Sequence, residues 1–260
     1  PRSTLFPYTT LFRSSDNATT PEAVTVSFGP GDLKAVVAEI VAGVKGKLDV
    51  AVAEIVVSGG RGLKDPAGEG KQNWENLQAR FGREKFNAKI QEADFVGFVN
   101  WTMLTYMNDI WSAILRETCP NLTGPRRKLF IDLADPEKRT HEDILRALEL
   151  ITAFEQHFNV IFGLNEKESG EIGQHLGLDT SNHSPEGLAA LGRSIRDRVP
   201  VNTVVIHPTA YAVAVSQGDE AIVEGPFTPK PLITTGAGDH FNAGFCLGKL
   251  LGLDNAMSLL

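Results

Sequence analysis

The sequence predicts an α/β fold in which a mainly parallel central sheet carries helices on both faces. Three observations carry that expectation. From Trp74 onward, short apolar runs such as Lys128–Leu133 and Val160–Leu164 alternate with amphipathic segments of helical period. Strands separated by helices in this way pair in parallel and are covered on both sides. The chain has 260 residues, 42% of them hydrophobic and 22% charged, enough to bury a substantial core. Finally, the turn Gly236-Ala237-Gly238 leads straight into the carboxylate of Asp239 and a small-residue helix. Turns of that kind belong at the carboxyl ends of parallel strands, where ligands bind.

Taken in order, residues 1–15 (PRSTLFPYTTLFRSS) have no acidic residue and no clear period. They resemble translated adapter or vector sequence and are set aside as a non-native or disordered arm. Residues 16–71 form a segment of uncertain origin, admitting a chimeric fragment. Val24–Phe28 reads as a strand, Asp32–Val44 as a helix by its apolar spacing, and Val50–Val57 as a β-rich run. That run exits into Ser58-Gly59-Gly60-Arg61-Gly62-Leu63-Lys64. A glycine loop after a strand can cradle a phosphate, with Arg61 and Lys64 supplying charge, or can simply be a tight exit with solvated basic residues. Asp65–Lys71 is Pro/Gly-rich and marks a boundary.

Beyond it, Trp74–Phe81 and Glu84–Glu92 read as helices, Phe95–Val99 as a strand and Met107–Glu117 as a helix with Ile110, Trp111 and Ile114 on one face. Lys128–Leu133 is a buried strand, His141–His157 an amphipathic helix, Val160–Leu164 a strand and Glu166–Leu176 a helix. Ser184–Arg198 is a helix whose Ser184-Pro185 start suits a cap. Thr203–His207, Tyr211–Val215 and Ala221–Glu224 read as strands.

The net charge of −7 argues against a nucleic acid or an anionic membrane as the main partner. Cys119 and Cys246 are too few for a disulfide framework or a metal cluster, which suits a reducing cytoplasm. No apolar run is long enough to span a bilayer, and the start has no secretory-signal pattern.

Chemistry is expected in the strand exits. Convergent amides at Gly236-Ala237-Gly238 suit an anion, and glycine lets the backbone approach closely. A carboxylate beside bound phosphate is costly unless it has a task, and accepting a proton from an attacking hydroxyl is such a task. An ordinary Asp-capped glycine turn is the plainer alternative. Asn165 and Glu168 stand three apart at a helix start. They suit either water-mediated Mg²⁺ beside phosphates or an N-cap with acidic residues at the helix dipole. Asp132 and Asp135, and more weakly Asn100, lie at other exits, where they are substrate contacts or solvated loop residues.

Thr234-Thr235-Gly236-Ala237-Gly238-Asp239, continued by Asn242-Ala243-Gly244-Phe245, resembles the second signature of the PfkB/ribokinase-type carbohydrate kinases. Ile233 departs from it, standing where the family usually has an acidic or polar residue. The resemblance covers about residues 72–260 and implies a ribokinase-like three-layer sandwich, incomplete at both ends and truncated at the C-terminus. It implies ATP-dependent phosphorylation of a sugar-like hydroxyl, in a chain that as a fragment need not be a competent enzyme by itself, with Asp239 as base and Thr235, Gly236, Ala237 and Gly238 holding phosphate. It also implies Mg²⁺ bound indirectly near Asn165 and Glu168, an Asn-x-x-Glu motif of that family. The loop His207-Pro208-Thr209 replaces a Thr- and Gly-containing turn, so nucleotide contacts through His207 and Thr209 are the less supported part. Ala134 replaces an amide in the Asp-x-Asn-x-Arg pattern of the loop holding Asp132, Asp135 and Arg139, which leaves the sugar open. The expected partner is a sugar-like small molecule; a homodimer is admissible, and nucleic acid and membrane are not expected.

A second stretch, Ile55–Lys64, resembles the opening of the FAD-binding domain of electron-transfer flavoprotein α-subunits, with Arg61 as the matching residue. The likeness covers residues 16–65 and implies a flavin- or nucleotide-binding fragment as the alternative. A non-catalytic nucleotide or sugar sensor on the kinase fold is a third reading.

Overall fold

Strand β1 (Phe95–Phe98) is the first of six that form one sheet in the order β1-β2-β3-β4-β5-β6. The others are β2 (Arg127–Asp132), β3 (Phe158–Asn165), β4 (Thr203–His207), β5 (Tyr211–Ser216) and β6 (Asp219–Glu224). The structure is a computed structural model that describes residues 72–225, 228, 230–231 and 236–260. The anticipated strands and helix of residues 24–57, the loop with Arg61 and Lys64, and Thr235 lie outside the described residues.

Pairing is parallel from β1 to β4 and antiparallel from β4 to β6. A mainly parallel sheet is what the sequence predicts, and the last two strands are its antiparallel part. The chain has only residues 208–210 and 217–218 to make those connections, which suffice for hairpins but not for a crossover.

Helices α1 (Trp74–Phe81) and α2 (Arg83–Glu92) precede the sheet, and α3 (Met107–Glu117) and α4 (His141–Phe154) provide the next crossovers. Helices α5 (Glu166–His175) and α6 (Pro185–Arg198) follow β3, and α7 (Ala237–Leu250) and α8 (Asn255–Leu259) close the described chain. Helix α4 ends at Phe154, short of the His157 that apolar spacing suggested. Phe158 is instead drawn into β3, where it pairs with Arg127. The cap expected at Ser184 is present, its side chain accepting the Gly187 N–H, and Thr140 caps α4 by accepting the Asp143 N–H.

The pleat sorts the core. Leu129 and Ile131, Val160, Phe162 and Leu164, Val204 and Ile206, and Val213 and Val215 pack with α3 to α6 in one large cluster. The alternate residues Phe130, Ile161, Val205 and Ala214 pack with Phe245 of α7 in a second. Period-two alternation on four successive strands is what a sheet covered on both faces requires. The architecture is thus helix, sheet, helix. Among the described residues, no helix is long and apolar enough to cross a membrane.

Candidate active site

The same parity that buries Phe130, Ile161 and Val205 under α7 sets Asp132 and His207 on that face, one step nearer the carboxyl ends of their strands. Helix α7 begins there. Gly236 is its N-cap in the left-handed region (φ 84°), a conformation that favours glycine, and Ala237, Gly238 and Asp239 make the first turn. The first amides of a helix have no intrahelical acceptor, so this turn offers donors to an anion. Asp239 is exposed at its edge. His240, which the sequence did not single out, donates from Nδ1 to the Gly236 carbonyl at 2.7 Å and so stabilises the turn.

Asp132 faces this turn from β2. Its Oδ1 accepts the Ala134 N–H and its Oδ2 accepts Asn242 Nδ2, both at 2.9 Å. Burial, then the charges of Glu168 and Asp239, push its carboxyl up to about 6, against the two hydrogen bonds. A carboxyl whose pKa is raised by folding adds stability below its ordinary pKa and loses it as pH rises through the raised value. The melting temperature of Asp132→Asn relative to the parent should therefore climb between about pH 4 and pH 6. Thermal melts across that range check this, and a flat difference would refute it.

Asn165 and Glu168 form a capping box at the start of α5: Asn165 Oδ1 accepts the Glu168 N–H and Glu168 Oε2 accepts the Asn165 N–H. The plainer of the two sequence readings is thereby realised, but Glu168 does more. It is only 4% exposed, and its Oε1 accepts the Asp135 N–H from the loop after β2. Asp135 and Ala134 both have left-handed backbone, as does Asn100 after β1. Non-glycine residues rarely adopt it, and here three occur at the exits of two adjacent strands. Glu168 and Asp132 are the acceptors that hold two of them.

The anticipated substrate residues divide. Asp135 turns its carboxylate to Lys138 Nζ at 2.7 Å, which holds its pKa below the usual range. Asn100 lies at the end of the edge strand, and its loop is tied to the β2 exit by the Thr102 N–H to the Leu133 carbonyl. Arg139 stacks 4.4 Å over Trp101 and bonds Asp143, so it braces the loop.

On the other side of the sheet's carboxyl edge, Asn165 and His207 are register partners. They line an open cavity of about 770 Å³ with Lys167, Glu171, His183 and Thr209. His207 is the element shared by cavity and turn. Its ring lies 4.7 Å from that of Phe241, and a Cβ added at Gly238 would come within 3.3 Å of it. Burial lowers its pKa to about 4, so it is neutral near pH 7. Lys167, Glu171 and His183 escaped sequence analysis. Their spacing along one helix and a following loop is unremarkable, and only folding lines them on a cavity.

Among the described residues, no group of three or more His, Cys, Asp or Glu converges as a metal would need. Glu168 has given each oxygen to a backbone N–H and is buried. These donors fit a cation carried in by a ligand and bridged through water, not one ligated directly by the protein.

A family model described as prokaryotic ketohexokinase matches residues 62–260. A ketohexokinase of Haloferax volcanii is 27% identical over 188 residues, covering 72% of this chain and 49% of that protein. The chain thus spans about half the length of the curated relative it matches. Adenosine kinase from Schistosoma mansoni in complex with tubercidin aligns with TM-score 0.51 and 20% identity, covering 71% of this chain and 51% of that one. The same enzyme with adenosine, in an occluded loop conformation, gives 0.52 and 19%, covering 72% and 52%. At these identities the likeness concerns the fold, which is the ribokinase-like sandwich expected above. The flavoprotein reading drawn from residues 16–65 is not favoured, because the kinase family takes the chain from residue 62 onward.

Proposed function

Because this chain belongs to the prokaryotic ketohexokinase family, we propose that it is built to transfer the γ-phosphoryl group of ATP to a hydroxyl of a sugar, with a ketohexose as the first acceptor to try. The observation that carries the reading is Asp239 in the first turn of α7, directly after left-handed Gly236.

In this reading Asp239 takes the proton from the attacking hydroxyl. Amides of Gly236, Ala237 and Gly238, with Thr235 just before them, stabilise charge on the transferring group. Their dipole is fixed by the helix and costs no reorganisation as the reaction proceeds. The triphosphate lies along the cavity beside the α5 N-terminus, with His207 and Thr209 on the nucleotide side. Glu166 and Glu171 there would repel a bare triphosphate, so the nucleotide is expected as its magnesium complex. Mg²⁺, when bound, neutralises phosphate charge near Asn165 and Glu168, with Asn165 the more reachable of the two. Glu168 then acts by holding the loop of Asp135. Asn100, Asp132 and Asp135 border the acceptor end. The setting proposed is cytoplasmic, and a homodimer is compatible with it.

The test is ADP release by the 260-residue chain with Mg-ATP and a panel of ketohexoses, aldohexoses and nucleosides, with products identified by mass spectrometry. Sugar-dependent ADP and a sugar phosphate are expected. A melting shift with Mg-ATP but no ADP for any acceptor would replace the enzyme by the sensor reading.

A further inference from the structure

Helix α7 carries Asp239 in its first turn. Its apolar anchor, Phe245, lies more than a turn further on, and Gly248 packs closely on Ser258 of α8 at the far end. Near Asp239, contacts among the described residues include the Phe241 ring on His207 and a buried polar link, Asn242 Nδ2 to Asp132 Oδ2 at 2.9 Å. Asn242 follows Asp239 by three residues and therefore lies on the same side of the helix.

Three features show that this link is built into the fold. Asn242 is 7% exposed, and among the described residues its Oδ1 has no hydrogen-bond partner, so the amide is oriented to serve Asp132 at the expense of its own oxygen. Gly163, opposite Asp132 in the β2–β3 register, lies beside the link, and its missing Cβ makes room for the Phe130 ring. A Cβ there would stand 3.6 Å from Asn242 Oδ1 and 2.5 Å from the Phe130 ring. Asp132 is itself fixed at its second oxygen by the Ala134 N–H. The link joins residues 110 apart in the chain and bridges the strand exit to the glycine turn.

We propose that Asn242 and Asp132 are a positioning pair that holds the first turn of α7, and with it Asp239, at the carboxyl edge of the sheet. The proposal rests on the phosphotransfer reading for its catalytic consequence but not for its structural one. An amide facing a carboxylate gives one donor and one acceptor across the gap. Two carboxylates at that distance would repel, and two amides would need a reoriented side chain.

The experiment follows from this complementarity. Asn242→Asp should quicken backbone amide exchange over residues 236–242 while the β2 and β3 amides keep their protection. The exchange double variant, Asp132→Asn with Asn242→Asp, rebuilds the pair with its polarity reversed and should restore protection. In the phosphotransfer assay, Asn242→Asp should lower kcat by about 10²-fold, the scale of a misplaced catalytic group, with KM for ATP nearly unchanged, and the double variant should recover most of the loss. Unchanged exchange in Asn242→Asp, or no recovery in the double variant, overturns the pair. Loosened exchange with full kcat overturns its positioning role. If the parent chain releases no ADP with any acceptor, the phosphotransfer reading fails while the exchange measurements still judge the pair. Should Asn242→Asp not fold by its melting curve, Asn242→Ala removes the donor without adding charge. The same loosening is expected, and its absence refutes the proposal.

Discussion

Asp239→Asn is expected to lose phosphoryl transfer by about two to four orders of magnitude, the usual worth of general-base assistance, while binding Mg-ATP nearly as well as the parent. The side chain is exposed at the edge of the turn, so its replacement by an isostere leaves the fold intact. The amides that would hold phosphate belong to the backbone of Gly236, Ala237 and Gly238 and are untouched. The two halves of the site therefore separate in measurement. ADP release in a coupled assay should collapse, and calorimetric or melting-shift affinity for the nucleotide should persist. Retained turnover would mean that Asp239 is only a helix-start acid and that another group takes the proton. Loss of both turnover and nucleotide binding would mean that the turn itself depends on the carboxylate.

Glu168→Leu should be strongly destabilising, by about 2–6 kcal/mol, because it strands two part-buried N–H donors whose loss costs about 1–3 kcal/mol each. Those donors are Asn165 N–H and Asp135 N–H, each 2.9 Å from one Glu168 oxygen. The second belongs to a residue held in left-handed backbone. With its acceptor gone, the loop of Ala134 and Asp135 is expected to relax and Asp132 to lose its register with Asn242. Removing the Glu168 charge also removes one cause of the raised Asp132 pKa, so that pKa should fall. Denaturant unfolding gives the stability change, and the pH dependence of stability gives the shift. A loss under about 1 kcal/mol would show that water replaces the carboxylate, and that the helix start is as exposed as an ordinary cap.

These two residues differ in how much of their role was legible beforehand. Asp239 follows a glycine turn and precedes a small-residue helix, so adjacency alone brought the proposed anion donors and the proposed base together. Asn165 and Glu168 were also found by spacing, since a capping box is a local pattern of four residues. Spacing could not say that Glu168 would reach a different loop. For Asp132 the sequence showed a carboxylate at a strand exit, but its amide partner lies beyond four further strands. His207 was visible as a departure from the expected turn. Its contact with Gly238 and Phe241 was not.

Local order, by itself, determined the alternation of helices and strands, the capped helix starts, the glycine turn and the reading of phosphoryl transfer. Each follows from neighbours within a few residues, whose periodicity and backbone preferences act before any tertiary contact forms. The short connections at residues 208–210 and 217–218 likewise make the last two strands turn back antiparallel, while the tertiary structure alone decided the order of the strands in the sheet. It also decided that Glu168 braces the Asp135 loop and that Asn242 ties Asp239's helix to Asp132. Such links depend on which strands become neighbours in the sheet and which face α7 covers. Pleat parity puts Asp132 and His207 on that face, but the face becomes a site only when the sheet brings distant exits within hydrogen-bonding reach of one helix start.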